Sequence, residues 1–163
     1  MQFIDTHAHL YLKHFNNDRE EMVKNAIRKN VEKIVLPNID SGTIRSMNQL
    51  SKQFPTNILP LIGLHPTSVK ETFESELAIV SDELKNGHYY GIGESGIDLY
   101  WDRTYIEEQK KAFIFQIELA IEHHLPIIIH ARESFGEIFE ILDLFTNEPV
   151  TGVFHAFSGT PDQ

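Results

Sequence analysis

Two hydrophobic rhythms alternate along the chain. Short β-branched, apolar runs occur at Phe3–Thr6, Lys33–Pro37, Ile58–Gly63, Tyr89–Gly93, Pro126–Ile129 and Val150–Phe154. Between them, apolar residues recur every three or four positions, as on one face of a helix. Asp18–Arg28 places Met22, Val23, Ala26 and Ile27 on one side, and Ser41–Phe54 does the same with Ile44, Met47 and Leu50. Glu74–Leu84 aligns Leu77, Val80 and Leu84, and Thr104–His124 aligns Phe113, Ile117, Ala120 and Ile121. Glu133–Phe145 closes the series with Phe135, Ile138, Phe139 and Leu142. Asn17 and Ser41 suit helix N-caps, Gly87 suits a C-cap, and Pro126 is a stop signal. The loops are short, and no linker or internal boundary is visible.

Strands that alternate with helices predict a parallel sheet joined by right-handed crossovers. Ile127–Ile129 is apolar without alternation, as a strand covered on both faces should be. Two architectures fit. A doubly wound nucleotide-binding sheet wants a glycine-rich turn after its first strand, and Asp5-Thr-His-Ala-His9 contains no glycine. The other is an α/β TIM (β/α)8 barrel, whose eight strands take about 250 residues. On that reading residues 1–163 form one metallo-hydrolase domain, an incomplete barrel of about six β/α units that stops after the sixth strand.

Candidate chemistry favours the barrel. His7 and His9 follow the first strand two positions apart, so both imidazoles aim the same way. Glu94 follows the fourth strand, His130 the fifth and His155 the sixth. Metal-ligand side chains thus sit at the carboxyl ends of four strands. Those ends converge on one mouth in a closed barrel and spread along an edge in an open sheet. Imidazole and carboxylate suit Zn, Mn, Fe or Mg. Five ligands exceed the usual set for one catalytic ion. Two ions about 3.5–4 Å apart, bridged by Glu94, fit better, and such a pair activates a water and clamps both oxygens of a phosphodiester.

Composition changes the picture in two places. The formal net charge of −10 means that nucleic acid, if it is the substrate, must be attracted locally rather than by a basic surface. The chain has no cysteine, which removes thiolate ligands and disulfides. Its amino terminus has no basic and apolar leader and no run spans a bilayer, so the expectation is a cytoplasmic protein without a membrane partner.

The segments Phe3-Ile-Asp-Thr-His-Ala-His9, Gly63-Leu-His-Pro66 and Gly91-Ile-Gly-Glu-Ser-Gly-Ile-Asp98 belong to one pattern, continued by Gln109–Gln116 with Leu119-Ala120. Leu125-Pro-Ile-Ile-Ile-His-Ala-Arg132 and Gly152-Val-Phe-His-Ala-Phe-Ser-Gly159 complete it. In this order they resemble the TatD-type metal-dependent deoxyribonucleases over essentially the whole chain. The resemblance implies a TIM-barrel hydrolase that cuts DNA as an exonuclease, acting on single strands or ends with two divalent ions (Mg, Mn or Zn). By position, His7 and His9 would hold one ion, His130 and His155 the second, and Glu94 would bridge them as the catalytic carboxylate. His65 and Arg132 would face the substrate phosphate, although Arg132 also suits a pair with Glu133.

The family also carries a metal-binding aspartate on a later strand, beyond Gln163. The expectation is therefore that this polypeptide alone has little nuclease activity and self-associates through open barrel edges. Two other functions compete: hydrolysis of a small amide or ester on the same scaffold, and an inactive interaction fragment. Amidohydrolases of that kind often bridge their metals with a carbamylated lysine at the fourth strand, where this chain has Glu94. Asp98 suits either orientation of a ligand histidine or a turn. Tyr100, Trp101 and Tyr105 suit either a base-stacking platform or a lid on the barrel rim. His123 and His124 read as helix-terminal, His14 and His88 as surface residues.

Overall fold

A computed structural model describes residues 1–163. Six strands and five helices alternate. The strands are β1 (Phe3–Asp5), β2 (Val31–Leu36), β3 (Ile58–Pro60), β4 (Ile92–Asp98), β5 (Ile127–Arg132) and β6 (Gly152–His155). The helices are α1 (Arg19–Arg28), α2 (Ser41–Gln53), α3 (Phe73–Asn86), α4 (Ile106–Glu122) and α5 (Phe135–Asp143). All strand pairings are parallel, in the orders β1-β2-β3 and β4-β5-β6. The two sheets join at Ile62 and Ile92, where Gly93 N–H donates to Ile62 O at 2.8 Å.

The sheet curls. Neighbouring strands lie about 4.8 Å apart, so in a flat sheet β1 and β6 would be roughly 24 Å from each other. Yet the rings of His7, after β1, and His155, ending β6, stack with centroids 3.5 Å apart. That contact requires barrel-type curvature, and the arrangement is a partial TIM-type barrel. Ile34, Leu36, Ile58, Ile62, Ile92 and Ile127 from the sheet pack against Met47, Leu50, Val80, Phe113, Ile117 and Ile138 from the helices. The outer strands carry the exposed apolar residues Phe3, Ile4 and Val153. No helix is long and apolar enough to cross a membrane.

The periodic segments fold as helices within a few residues of their expected limits, and Gly87 is the C-cap of α3. Two caps differ. Asp18 rather than Asn17 precedes α1. Ser41 is the first helical residue of α2, not its cap; Asp40 takes that place and donates its backbone N–H to Thr43 Oγ1 at 3.2 Å. The Ser41 N–H and hydroxyl both go to the Glu76 carboxylate of α3, at 2.9 and 2.8 Å. A partner so distant in sequence is invisible to a local capping rule.

The fourth strand differs most. The apolar run suggests an end at Gly93, but β4 extends to Asp98 and every residue in it is buried. Its glycines read locally as punctuation, whereas here they permit contact. Gly96 has φ +144°, and a Cβ on it would lie 2.0 Å from His130 O. Only a residue without a side chain lets β4 run this close to β5.

Candidate metal centre

The first strand brings two imidazoles to the mouth. Pairing with β2 persists past the end of β1, because Ala8 N–H donates to Val35 O at 3.0 Å. The backbone therefore stays extended, His7 and His9 point the same way, and their Nε2 atoms lie 3.0 Å apart. From β4 comes Glu94, only 2% exposed. Its Oε2 is 3.0 Å from His7 Nε2 and 3.7 Å from His9 Nε2. On its other side, Oε1 meets His130 Nδ1 at 2.8 Å. His65, just after β3, places Nε2 3.8 Å from Glu94 Oε2.

Ligand-type atoms thus form two groups, each spanning no more than 4.8 Å: His7, His9 and Glu94, and His65, Glu94 and His130. Glu94 belongs to both. His155 belongs to neither; its ring lies on that of His7, tilted by 17°. The structure therefore groups His130 with Glu94 and His65, where the sequence reading paired it with His155.

Hydrogen-bond logic fixes what the rings can offer. Tyr11 O–H donates to Pro37 O at 2.5 Å, since a carbonyl only accepts. The same hydroxyl lies 2.9 Å from His9 Nδ1, so that nitrogen must be the donor. This tautomer leaves the His9 Nε2 lone pair bare and aimed at Glu94 and His7. His7 Nδ1 is buried without a partner. A bare imidazole nitrogen beside a buried carboxylate is a donor set that fits a divalent cation.

His65 behaves differently. Its Nδ1 accepts the Thr67 N–H at 3.2 Å and lies 2.8 Å from Thr67 Oγ1. A neutral ring that accepts at Nδ1 carries its proton at Nε2, the atom facing Glu94. The chemistry of that nitrogen is donation to an anionic oxygen, not metal ligation, although distance alone would place it in the second group. His130 is held by carboxylates at both nitrogens, with Asp98 Oδ2 2.8 Å from Nε2.

The electrostatics follow from these contacts. Burial pushes the Glu94 carboxyl up, but its hydrogen bonds with His130 and His7 outweigh this and hold it far below the carboxylate range. Burial lowers His65 to about 4 against the pull of Glu94. For His130 burial also acts downward, yet its bonds to Glu94 and Asp98 win and raise it. His155 is lowered by burial, then by the neighbouring His7.

Arg132 lies at the end of β5 with its guanidinium 3.8 Å from the centroid of Tyr100. It does not pair with Glu133, whose carboxylate is 3.3 Å from Arg103. Asp98 fills both roles open to it: it orients His130, and its Oδ1 accepts the N–H groups of Tyr100 and Trp101 in a turn. Sequence reasoning passed over Tyr11, although Asp5-Thr-His-Ala-His-Leu-Tyr11 continues the two-residue spacing that singled out the histidines.

The family model described as TatD related DNase matches residues 4–163. An uncharacterized metal-dependent hydrolase of Bacillus subtilis, YabD, is 35% identical over 158 residues, covering 97% of this chain and 62% of the relative. The human deoxyribonuclease TATDN3 is 28% identical over 170 residues, covering 97% and 61%. The crystal structure of YJJV, a TatD homologue from Escherichia coli, superposes with a TM-score of 0.87 at 29% identity, covering 97% of this chain and 61% of that one. The chain thus spans about three-fifths of the length of these relatives.

Proposed function

From the premise that the chain belongs to the TatD-related DNase family, we propose that it serves metal-dependent hydrolysis of phosphodiester bonds in DNA, at single strands or ends. The observation that carries this reading is the sharing of the buried Glu94 carboxylate between His7 on one side and His130 on the other. One divalent ion would be held by His7, His9 and Glu94. A second would be held by Glu94 and His130, with His155 as a further ligand assigned from the sequence. Mg, Mn and Zn all suit nitrogen and carboxylate donors. When bound, such ions supply Lewis acidity and a nucleophilic water near neutral pH.

The protein's own groups do the remaining work. Tyr11 holds His9 in the tautomer that exposes Nε2. Asp98 orients His130. His65, neutral because burial lowers it to about 4, offers its Nε2–H to a phosphate oxygen. Arg132 adds a fixed positive charge where a second phosphate oxygen would lie. An acidic chain gains nothing from long-range attraction, so these local donors determine substrate contact.

The test combines binding and turnover. Calorimetry with Mn²⁺ should give two ions per chain, and Glu94→Gln should abolish binding. With protein in excess, an end-labelled single-stranded oligodeoxynucleotide should shorten in Mg²⁺ or Mn²⁺ and remain intact in EDTA. Shortening that persists in EDTA, or Mn²⁺ binding that survives Glu94→Gln, would refute the assignment.

A further inference from the structure

One feature of the mouth is not used by the metal-binding side chains. After β4 the chain crosses the rim as Leu99-Tyr-Trp-Asp-Arg103. Tyr100 is 50% exposed and Trp101 69%. Large aromatic rings are normally far more buried, and exposed clusters of them mark binding sites. These two are held in place. Asp98 Oδ1 accepts the N–H of Tyr100 at 3.0 Å and of Trp101 at 3.2 Å, while Oδ2 meets His130. One buried carboxylate therefore ties the aromatic pair to a ring that itself touches Glu94.

The rings meet edge to face, with centroids 4.8 Å apart at 86°. The Arg132 guanidinium lies 3.8 Å from the Tyr100 centroid and 5.3 Å from that of Trp101. Beside them is a crevice of ≈ 80 Å³ whose walls include Lys70, Asp98, Trp101 and Tyr105. Two exposed aromatic rings at right angles, the cations Arg132 and Lys70, and the carboxylate that holds His130 lie together.

Resting on the phosphodiester reading above, we propose that Trp101 and Tyr100, with Arg132, form a stacking site for one unpaired nucleobase next to the phosphate presented to Glu94. A base inside a duplex has both faces covered by its neighbours and cannot stack on protein until it is freed. An unpaired base can stack whatever its identity, because every base has a π face. The site thus selects single-stranded ends by their open bases and does so without a basic surface.

The chain contains one tryptophan, so its fluorescence reports this site alone. The full chain in Mg²⁺ is titrated with a phosphorothioate-linked thymidine tetranucleotide, and separately with an abasic deoxyribose-phosphate chain of equal length and linkage. Quenching by the first and not by the second is expected. Equal quenching by both, or by neither, would overturn the stacking site. By anisotropy with a labelled single strand, Trp101→Ala should weaken binding about 5- to 100-fold and Trp101→Phe should largely restore it; unchanged affinity in Trp101→Ala also overturns the proposal. Cleavage of a phosphodiester-linked abasic chain, followed by mass spectrometry, tests the hydrolase reading without any base. Cleavage without base-dependent quenching would sink only the stacking site, whereas base-dependent quenching with cleavage that persists in EDTA would sink only the metal-dependent hydrolase reading.

Discussion

Gln116 of α4 and Leu64 exchange two hydrogen bonds through the protein interior: Leu64 N–H donates to Oε1 at 2.8 Å, and Nε2 donates to Leu64 O at 3.2 Å. The side-chain amide acts as a short piece of strand, and Gln116 is only 1% exposed. It fixes the backbone immediately before His65. Gly63 makes room for it, since a Cβ there would lie 2.9 Å from Oε1.

Gln116→Leu should therefore be costly despite its similar size. It leaves the buried Leu64 N–H and C=O without partners, for a loss of about 2–4 kcal/mol. Urea unfolding reads the loss directly. Nitrogen-15 NMR should also show the His65 ring resonances displaced. A variant within about 0.5 kcal/mol of the parent would show that the clamp contributes nothing.

Gly96→Ala should be among the most damaging single-methyl additions in the molecule. Its φ of +144° disfavours any side chain, and the new Cβ would lie 2.0 Å from the His130 carbonyl. Relief requires β4 and β5 to separate, moving Glu94 away from His130. The expected cost is about 3 kcal/mol or more, with weaker metal binding. Denaturant midpoints and calorimetric titration with Mn²⁺ measure the two effects.

Tyr11→Phe removes the hydroxyl that accepts from His9 Nδ1 and donates to Pro37 O. The His9 ring loses the contact that selects its tautomer, and a buried carbonyl loses its partner. Removing such an orienting contact typically weakens metal binding by about 10- to 100-fold. Calorimetry should show this for the ion held by His7 and His9, with the second ion little affected. Equal weakening of both would argue against the local explanation.

Acid and alkaline limbs of stability should separate two histidines in metal-free protein. His65 is lowered from 6.5 to about 4, chiefly by burial. Between those values the unfolded chain binds a proton that the folded chain refuses. Stability from this group therefore falls as pH drops through 6.5, and the loss is complete below about 4. His130 has the opposite sign. Burial opposes its charge, but Glu94 and Asp98 raise it above 6.5. Its contribution is fully present below 6.5 and is lost as pH rises through the folded value. In EDTA, melting temperatures followed from about pH 5 to 8 should show His65→Asn flattening the acid limb and His130→Asn the alkaline limb. The reverse pattern would contradict the hydrogen-bond assignment of both rings.

The alternation of strand and helix, the parallel pairing and the placement of His7, His9 and His155 at strand ends were legible in the chain itself, whereas Glu94 and His130 lie inside β4 and β5 rather than after them. Each depends on short-range periodicity: two residues per strand repeat, three or four per helical turn. His7 and His9 were legible for the same reason, because two positions apart on extended backbone means one direction. Which groups would meet was not. Glu94 touches His130 across 36 residues, Gln116 clamps Leu64 across 52, and His155 stacks on His7 from the opposite edge of the sheet. The apolar run ending at Gly93 hid the continuation of β4 to Asp98, where Gly96 permits the close approach of β5. Local pattern determines each element and its faces. Only the curl of the sheet brings distant faces within hydrogen-bond range, and there burial and partner geometry decide which nitrogen carries a proton.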